Sequence, residues 1–155
     1  MPTEHPTDSP SPPLLWLDNQ VCFALYSTSL AMTKLYKPLL DAIGLTYPQY
    51  LVMLVLWEQD GPTVSELGER LFLDSGTLTP LLKRLELQGL LQRRRSLSDE
   101  REVHLALTDA GCALREQVLP LKSQLLCEHG VDLDALAALR SQVGGLLDQF
   151  MALNH

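Results

Sequence analysis

The feature that most constrains this chain is residues 63–107, TVSELGERLFLDSGTLTPLLKRLELQGLLQRRRSLSDEREVHLAL. Thr63 and Glu66 form a Ser/Thr-x-x-Glu capping box, in which each side chain satisfies a backbone donor that a helix start leaves open. Val64, Leu67 and Leu71 then share one face of a short helix. After a turn at residues 72–74 comes a second helix. Leu78, Leu81, Leu82 and Leu85 form its apolar stripe, and Thr77, Thr79, Pro80, Lys83 and Arg84 lie off that stripe. Proline is cheap only in the first turn of a helix, so Pro80 favours Thr77 over Ser75 as the N-cap. Gly89 suits a left-handed C-cap.

Past Gly89 the period changes from helix to strand. Val103, Leu105 and Leu107 alternate with Glu102, His104 and Ala106, which predicts a half-buried strand. Leu90 and Leu91 lead into an opposing strand, with residues 93–101 as the hairpin loop. Two helices joined by a short turn and followed by a basic hairpin describe a winged helix-turn-helix. Six of the chain's 12 Lys and Arg residues (Lys83, Arg84, Arg93, Arg94, Arg95 and Arg101) fall within residues 83–101, against three acids. That window carries +3 and the remainder −10, for a total of −7. Phosphate neutralisation needs a local excess of this kind, whatever the total charge. A pI near 4.9 would otherwise suit a solvated arginine run on a protein-binding module. The ordered series of helix, turn, helix and basic hairpin favours double-stranded DNA. The expected contacts are Thr77, Thr79, Lys83 and Arg84 from the helix, and Arg93, Arg94, Arg95, Asp99 and Arg101 from the wing. Arg101 at the wing tip is expected in the minor groove, oriented by Asp99.

Around this centre the chain reads as mainly α. Residues 1–13 hold five of the 10 prolines and suggest a disordered arm, with a single domain over residues 14–155. Leu14 opens a helical pattern through Leu17, Val21, Leu25, Met32, Leu35 and Leu39, with a break expected at Lys37 and Pro38. Thr46 and Gln49 make a second capping box, opening an almost wholly apolar helix from Tyr50 to Trp57 that ends at Asp60, Gly61 and Pro62. Thr108 is expected to cap a long helix bearing two apolar stripes, one through Leu114, Val118, Leu121 and Leu125, the other through Cys112, Leu119 and Leu126. Asp132 caps the last helix, with Leu136, Leu139, Val143, Leu146, Leu147 and Phe150 on one side. Gly144 and Gly145 weaken its middle unless another backbone approaches there. Surplus apolar surface on the terminal helices, residues 14–45 and 108–155, predicts a homodimer and a pseudo-palindromic operator. No run approaches the roughly 18 apolar residues of a membrane span, and no signal-peptide pattern is present, so a cytoplasmic protein is expected. Three cysteines without a CxxC argue against a disulfide framework, and Cys127-Glu128-His129 is too short for a metal site. No cofactor is expected.

The segments TVSELGERL, TLTPLLKRLELQGLL and RRRSLSDEREVHLALTDAG, with Asp99-x-Arg101 and the TDAG of residues 108–111, resemble the MarR family of winged-helix regulators over most of residues 15–153. The segments NQVCFALYS, KLYKPLL and LTYPQY further resemble its organic-hydroperoxide branch. From the residues alone, Cys22 reads as a small helical hydrophobe. Tyr26 lies one turn on, where it could meet Cys22 on the same face as part of a sensor pocket, and Tyr36 is about 21 Å away along a helix. The resemblance instead implies that Cys22 senses the oxidant, with Tyr36 and Tyr47 of the partner chain as hydrogen-bond donors to its sulfur. It also implies dimerisation through the terminal helices, and a resolving cysteine in the C-terminal part, for which Cys127 fits better than Cys112. His104 is expected on the wing strand without catalytic duty. The function implied is a repressor released from DNA when organic hydroperoxide oxidises Cys22. Two rivals stand beside it: a repressor that binds a small apolar or phenolic ligand with Cys22 incidental, and a thiol peroxidase. The wing arginines speak against an enzyme.

Overall fold

The computed structural model describes residues 13–154. The arm expected over residues 1–13 lies outside the described residues, save for Pro13. The described residues form two compact units, divided after Pro38.

In the first unit the expected helix from Leu14 does not form. Two 3-10 turns, Pro13–Leu15 and Leu17–Asn19, occupy that stretch, and α1 (Val21–Ile43) begins only after Gln20. The amide of Gln20 donates to the carbonyls of Leu14 (2.7 Å) and Trp16 (2.9 Å), and that of Asn19 to Pro13 (2.8 Å). These side chains satisfy the turns' carbonyls locally and so compete with helix. The expected break at Lys37 and Pro38 is also absent, since α1 runs through it. Proline removes one N–H, that to the carbonyl of Lys34. Lys34 is exposed, where water can serve the orphaned oxygen.

The second unit takes in the last turn of α1, where Leu39 and Leu40 are buried, and all that follows. Next is α2 (Tyr47–Glu58), opened by the capping box of Thr46 and Gln49. It carries Tyr50, Val52, Met53, Val55 and Leu56 into the core, with Leu54 left exposed. Around it pack α3 (Val64–Leu71), α4 (Ser75–Leu87), α5 (Asp109–Glu128) and an antiparallel hairpin of β1 (Leu91–Arg95) and β2 (Val103–Leu107). The capping box of Thr63 and Glu66 opens α3 as expected. The helix closes at Phe72 in the left-handed region, φ 55°. The hairpin is tied to α3 at its base, where the Leu105 N–H donates to the Pro62 carbonyl and His104 bridges to Thr63. The last helix, α6 (Leu133–Leu153), is capped by Asp132 and buries none of its residues.

Two boundaries differ from expectation. The N-cap of α4 is Asp74, not Thr77: its carboxylate accepts the Thr77 N–H at 2.7 Å. Pro80 is therefore the sixth residue of α4. The carbonyl that loses its donor belongs to Gly76, an exposed residue, where water can replace the missing bond. On the hairpin, Arg93, Arg94 and Arg95 belong to β1, in register with Leu105, His104 and Val103, and the loop is confined to residues 96–102.

Among the described residues no single helix is long and apolar enough to cross a membrane.

Candidate nucleic-acid interface and cysteine site

The candidate recognition surface consists of α4 and the hairpin. Leu78, Leu82 and Leu85 are buried beneath α4, which orients its other face. On that face Thr77, Thr79, Lys83 and Arg84 are all exposed, as the apolar stripe required. At the far end Gly89 adopts φ 74°. The Leu90 N–H returns to the Leu85 carbonyl and the Gly89 N–H to that of Glu86, a two-bond helix stop that turns the chain into β1.

The corner is locked to α5. Thr108 accepts the Gly111 N–H and donates its hydroxyl to the Gly89 carbonyl, while its own N–H donates to the Leu90 carbonyl. A Cβ on Gly111 would lie 2.1 Å from the Leu90 carbonyl oxygen, so only glycine allows this approach. Trp57 of α2 completes the lock by donating its indole N–H to the Gly111 carbonyl at 2.9 Å. This accounts for the Thr and Gly of the TDAG segment in physical terms. Nothing in the sequence pointed to Trp57.

The wing tip folds through its own polar side chains. Ser96 Oγ accepts from the Ser98 and Asp99 N–H groups, and the Asp99 carboxylate accepts the Arg101 N–H at 2.9 Å. Asp99 thus fixes the backbone of Arg101 in an Asx-type turn and leaves its guanidinium free of that bond. Arg94, Arg95 and Arg101 are exposed, and Leu97 at the tip is fully so. Arg93 is different. Its backbone N–H and guanidinium both reach the Glu86 carboxylate of α4, at 3.1 Å and at 3.0 and 2.8 Å. The guanidinium holds the Glu86 carboxyl below its usual range, and the Thr77 backbone N–H does the same for Asp74. Glu86 was legible in the sequence only as one acid among basic residues. His104 lies on β2, its Nδ1 3.1 Å from the Gly61 carbonyl oxygen, a structural place.

Cys22, Cys112 and Cys127 are free thiols, each exposed in the single chain. Cys22 lies in the first turn of α1 and Tyr26 one turn further on, 63% exposed. Because α1 is unbroken, Tyr36 stands two heptads from Cys22, near the same face but about 21 Å along the axis. Tyr47, the first residue of α2, sits 6.2 Å from the Tyr50 ring, which meets Trp57 edge-on at 6.5 Å. Cys112 and Cys127 lie in the first and last turns of α5. Fifteen residues of helix separate them, about 22 Å, far beyond the ~7 Å that a disulfide spans between Cα atoms. Among the described residues no group of three or more His, Cys, Asp or Glu side chains could hold a metal.

Comparison with known proteins agrees with this geometry. Residues 34–118 match the family model of the transcriptional regulators SarA/Rot. An organic hydroperoxide resistance transcriptional regulator of Bacillus subtilis is 49% identical over 132 residues, covering 85% of this chain and 90% of that protein. AbfR of Staphylococcus epidermidis is similar in structure. Its reduced form bound to DNA superposes with a TM-score of 0.78 at 37% identity, covering 87% of this chain and 94% of that one. Its disulfide form superposes at 0.63 and 37% identity, covering 84% and 92%. Fold, hairpin and sequence together place the chain in the MarR-type winged-helix transcriptional regulators, in the branch of the organic hydroperoxide resistance regulators.

Proposed function

We propose that the chain is a homodimeric repressor that binds operator DNA while reduced and leaves it when an organic hydroperoxide oxidises Cys22. The observation that carries the sensing role is the exposed Cys22 thiol on an unbroken, apolar α1. Val21, Phe23 and Leu25 beside it are also exposed in the single chain, a surface that a second copy would cover. Tyr36 lies on the same helix and cannot reach Cys22 of its own chain. An antiparallel partner helix would bring it there, and Tyr47 is assigned the same role. In this reading the Cys22 thiolate attacks the peroxide, the O–O bond breaks, the alcohol leaves, and sulfur becomes sulfenic acid. The Cys127 thiol then displaces water, forming a disulfide with Cys22 of the other chain. AbfR is known both reduced on DNA and with a disulfide, which supports a redox switch of this kind.

DNA contact is assigned to Thr77, Thr79, Lys83, Arg84, Arg94, Arg95 and Arg101, with Asp99 shaping the loop. The chain acts as a regulator rather than an enzyme, in the cytoplasm with its DNA. The test is a gel shift on the DNA upstream of the chain's own coding sequence, with and without cumene hydroperoxide. Wild-type protein is expected to bind and to be released by the oxidant, and Cys22→Ser to bind and stay. Release of Cys22→Ser by the peroxide would remove Cys22 from the sensing step.

A further inference from the structure

The wing arginines are not equivalent, and strand geometry separates them. Side chains alternate along β1, so Arg93 shares a face with Leu91, which is 1% exposed. It pairs across the hairpin with Leu105, which is wholly buried. That face looks towards α4, and Arg94 falls on the other. At the end of α4, Glu86 receives the Arg93 N–H on one carboxylate oxygen and two guanidinium N–H groups on the other. One carboxylate therefore grips both the backbone and the side chain of a single strand residue, through charge-assisted bonds. The grip spans the Gly89 corner, the sole covalent link from α4 to the wing.

We propose that Glu86 is a positioning residue for operator recognition: it sets the angle of the wing to α4, with Arg93 as the other half of the brace and not a phosphate contact. The proposal rests on the reading of this chain as a DNA-binding regulator. It also reverses the sign expected from charge. A carboxylate beside a DNA-facing helix repels phosphate, so neutralising it should tighten binding and steepen the salt dependence. A brace predicts the opposite, because a wing free to swing must be ordered on DNA before Arg101 can reach its groove.

The experiment measures affinity for one duplex, selected by the wild-type protein from a random library, across a salt series. Glu86→Gln, Arg93→Gln and the double variant are compared with wild type. Each single variant is expected to bind about three- to tenfold more weakly, the scale of one net hydrogen bond at a part-exposed pair. The double variant should be no weaker than either single, since both remove one interaction. Arg93→Gln should leave the salt slope unchanged. A Glu86→Gln protein that binds as well as wild type or better overturns the brace. So does an Arg93→Gln slope shallower by about one phosphate contact, or losses that simply add. Should Glu86→Gln fail to fold, the salt slope of Arg93→Gln carries the decision. If wild type selects no duplex, the DNA-binding reading falls instead. Hydrogen exchange at the Arg93 amide of the free protein then judges the brace: faster in Glu86→Gln supports it, unchanged overturns it.

Discussion

Replacing Gly111 by alanine tests the lock between the recognition corner and α5. The new methyl would sit 2.1 Å from the Leu90 carbonyl oxygen, 3.0 Å from Leu107 Cδ2 and 3.2 Å from the Leu90 carbonyl carbon. Carbon and oxygen rarely approach closer than about 3.3 Å, so α5 must lift by roughly 1.2 Å. The Thr108 N–H to Leu90 carbonyl bond is already 3.2 Å and would pass out of range. The Thr108 hydroxyl bond to Gly89 and the Trp57 indole bond to Gly111 would stretch with it. Losing one or two of these bonds costs about 1–3 kcal/mol, and residual crowding about 1–3 kcal/mol more. Alanine's higher helix propensity returns about 1 kcal/mol. The expected net is a loss of about 1–5 kcal/mol in urea unfolding at a fixed protomer concentration. Gly145→Ala in α6 is the control, since nothing lies within 4 Å of a Cβ there in the single chain. It should stabilise by about 0.5–1 kcal/mol. A Gly111→Ala protein as stable as wild type would refute the close-approach argument. A destabilised Gly145→Ala would show a second chain's backbone against α6.

Three further outcomes are expected. Arg101→Ala should weaken operator binding by about 1–3 kcal/mol in fluorescence anisotropy, with the dimer intact by sedimentation; unchanged affinity at physiological salt removes it from the groove. On non-reducing gels, peroxide should give a dimer band that Cys112→Ser keeps and Cys127→Ser loses, and the reverse pattern makes Cys112 the resolving thiol. Asp74 has its carboxyl held below the ordinary value of 3.8, so its support of the α4 start is full above that value and fades as pH falls through the lower folded one. Protection of the Thr77 amide should therefore decline only in acid, and Asp74→Asn, which caps without titrating, should flatten that decline relative to wild type.

Much of this protein follows from local sequence. Capping boxes at Thr46 and Thr63, the caps Thr108 and Asp132, and the glycine stop at Gly89 all act within a few residues, so short patterns are enough to locate them. The leucine stripe of α4 likewise decides which residues face outward before any neighbour is known. Where those signals compete, the sequence misleads. Leu14 and Leu17 keep helical spacing, yet the Asn19 and Gln20 side chains satisfy the local carbonyls and 3-10 turns form instead. Pro80 argued for a late start to α4, but the helix begins at Ser75, with the Asp74 carboxylate accepting the Thr77 N–H.

Tertiary structure alone decided the rest. Arg93, Arg94 and Arg95 look alike in the chain. Only the register of β1 against β2, and the packing of that hairpin on α4, hand Arg93 to Glu86 and leave Arg94 on the other face. Gly111 and Trp57 are 54 residues apart, and their hydrogen bond exists because α2 and α5 pack together. Such pairings depend on which surfaces meet, a property of the whole core and not of any window of sequence.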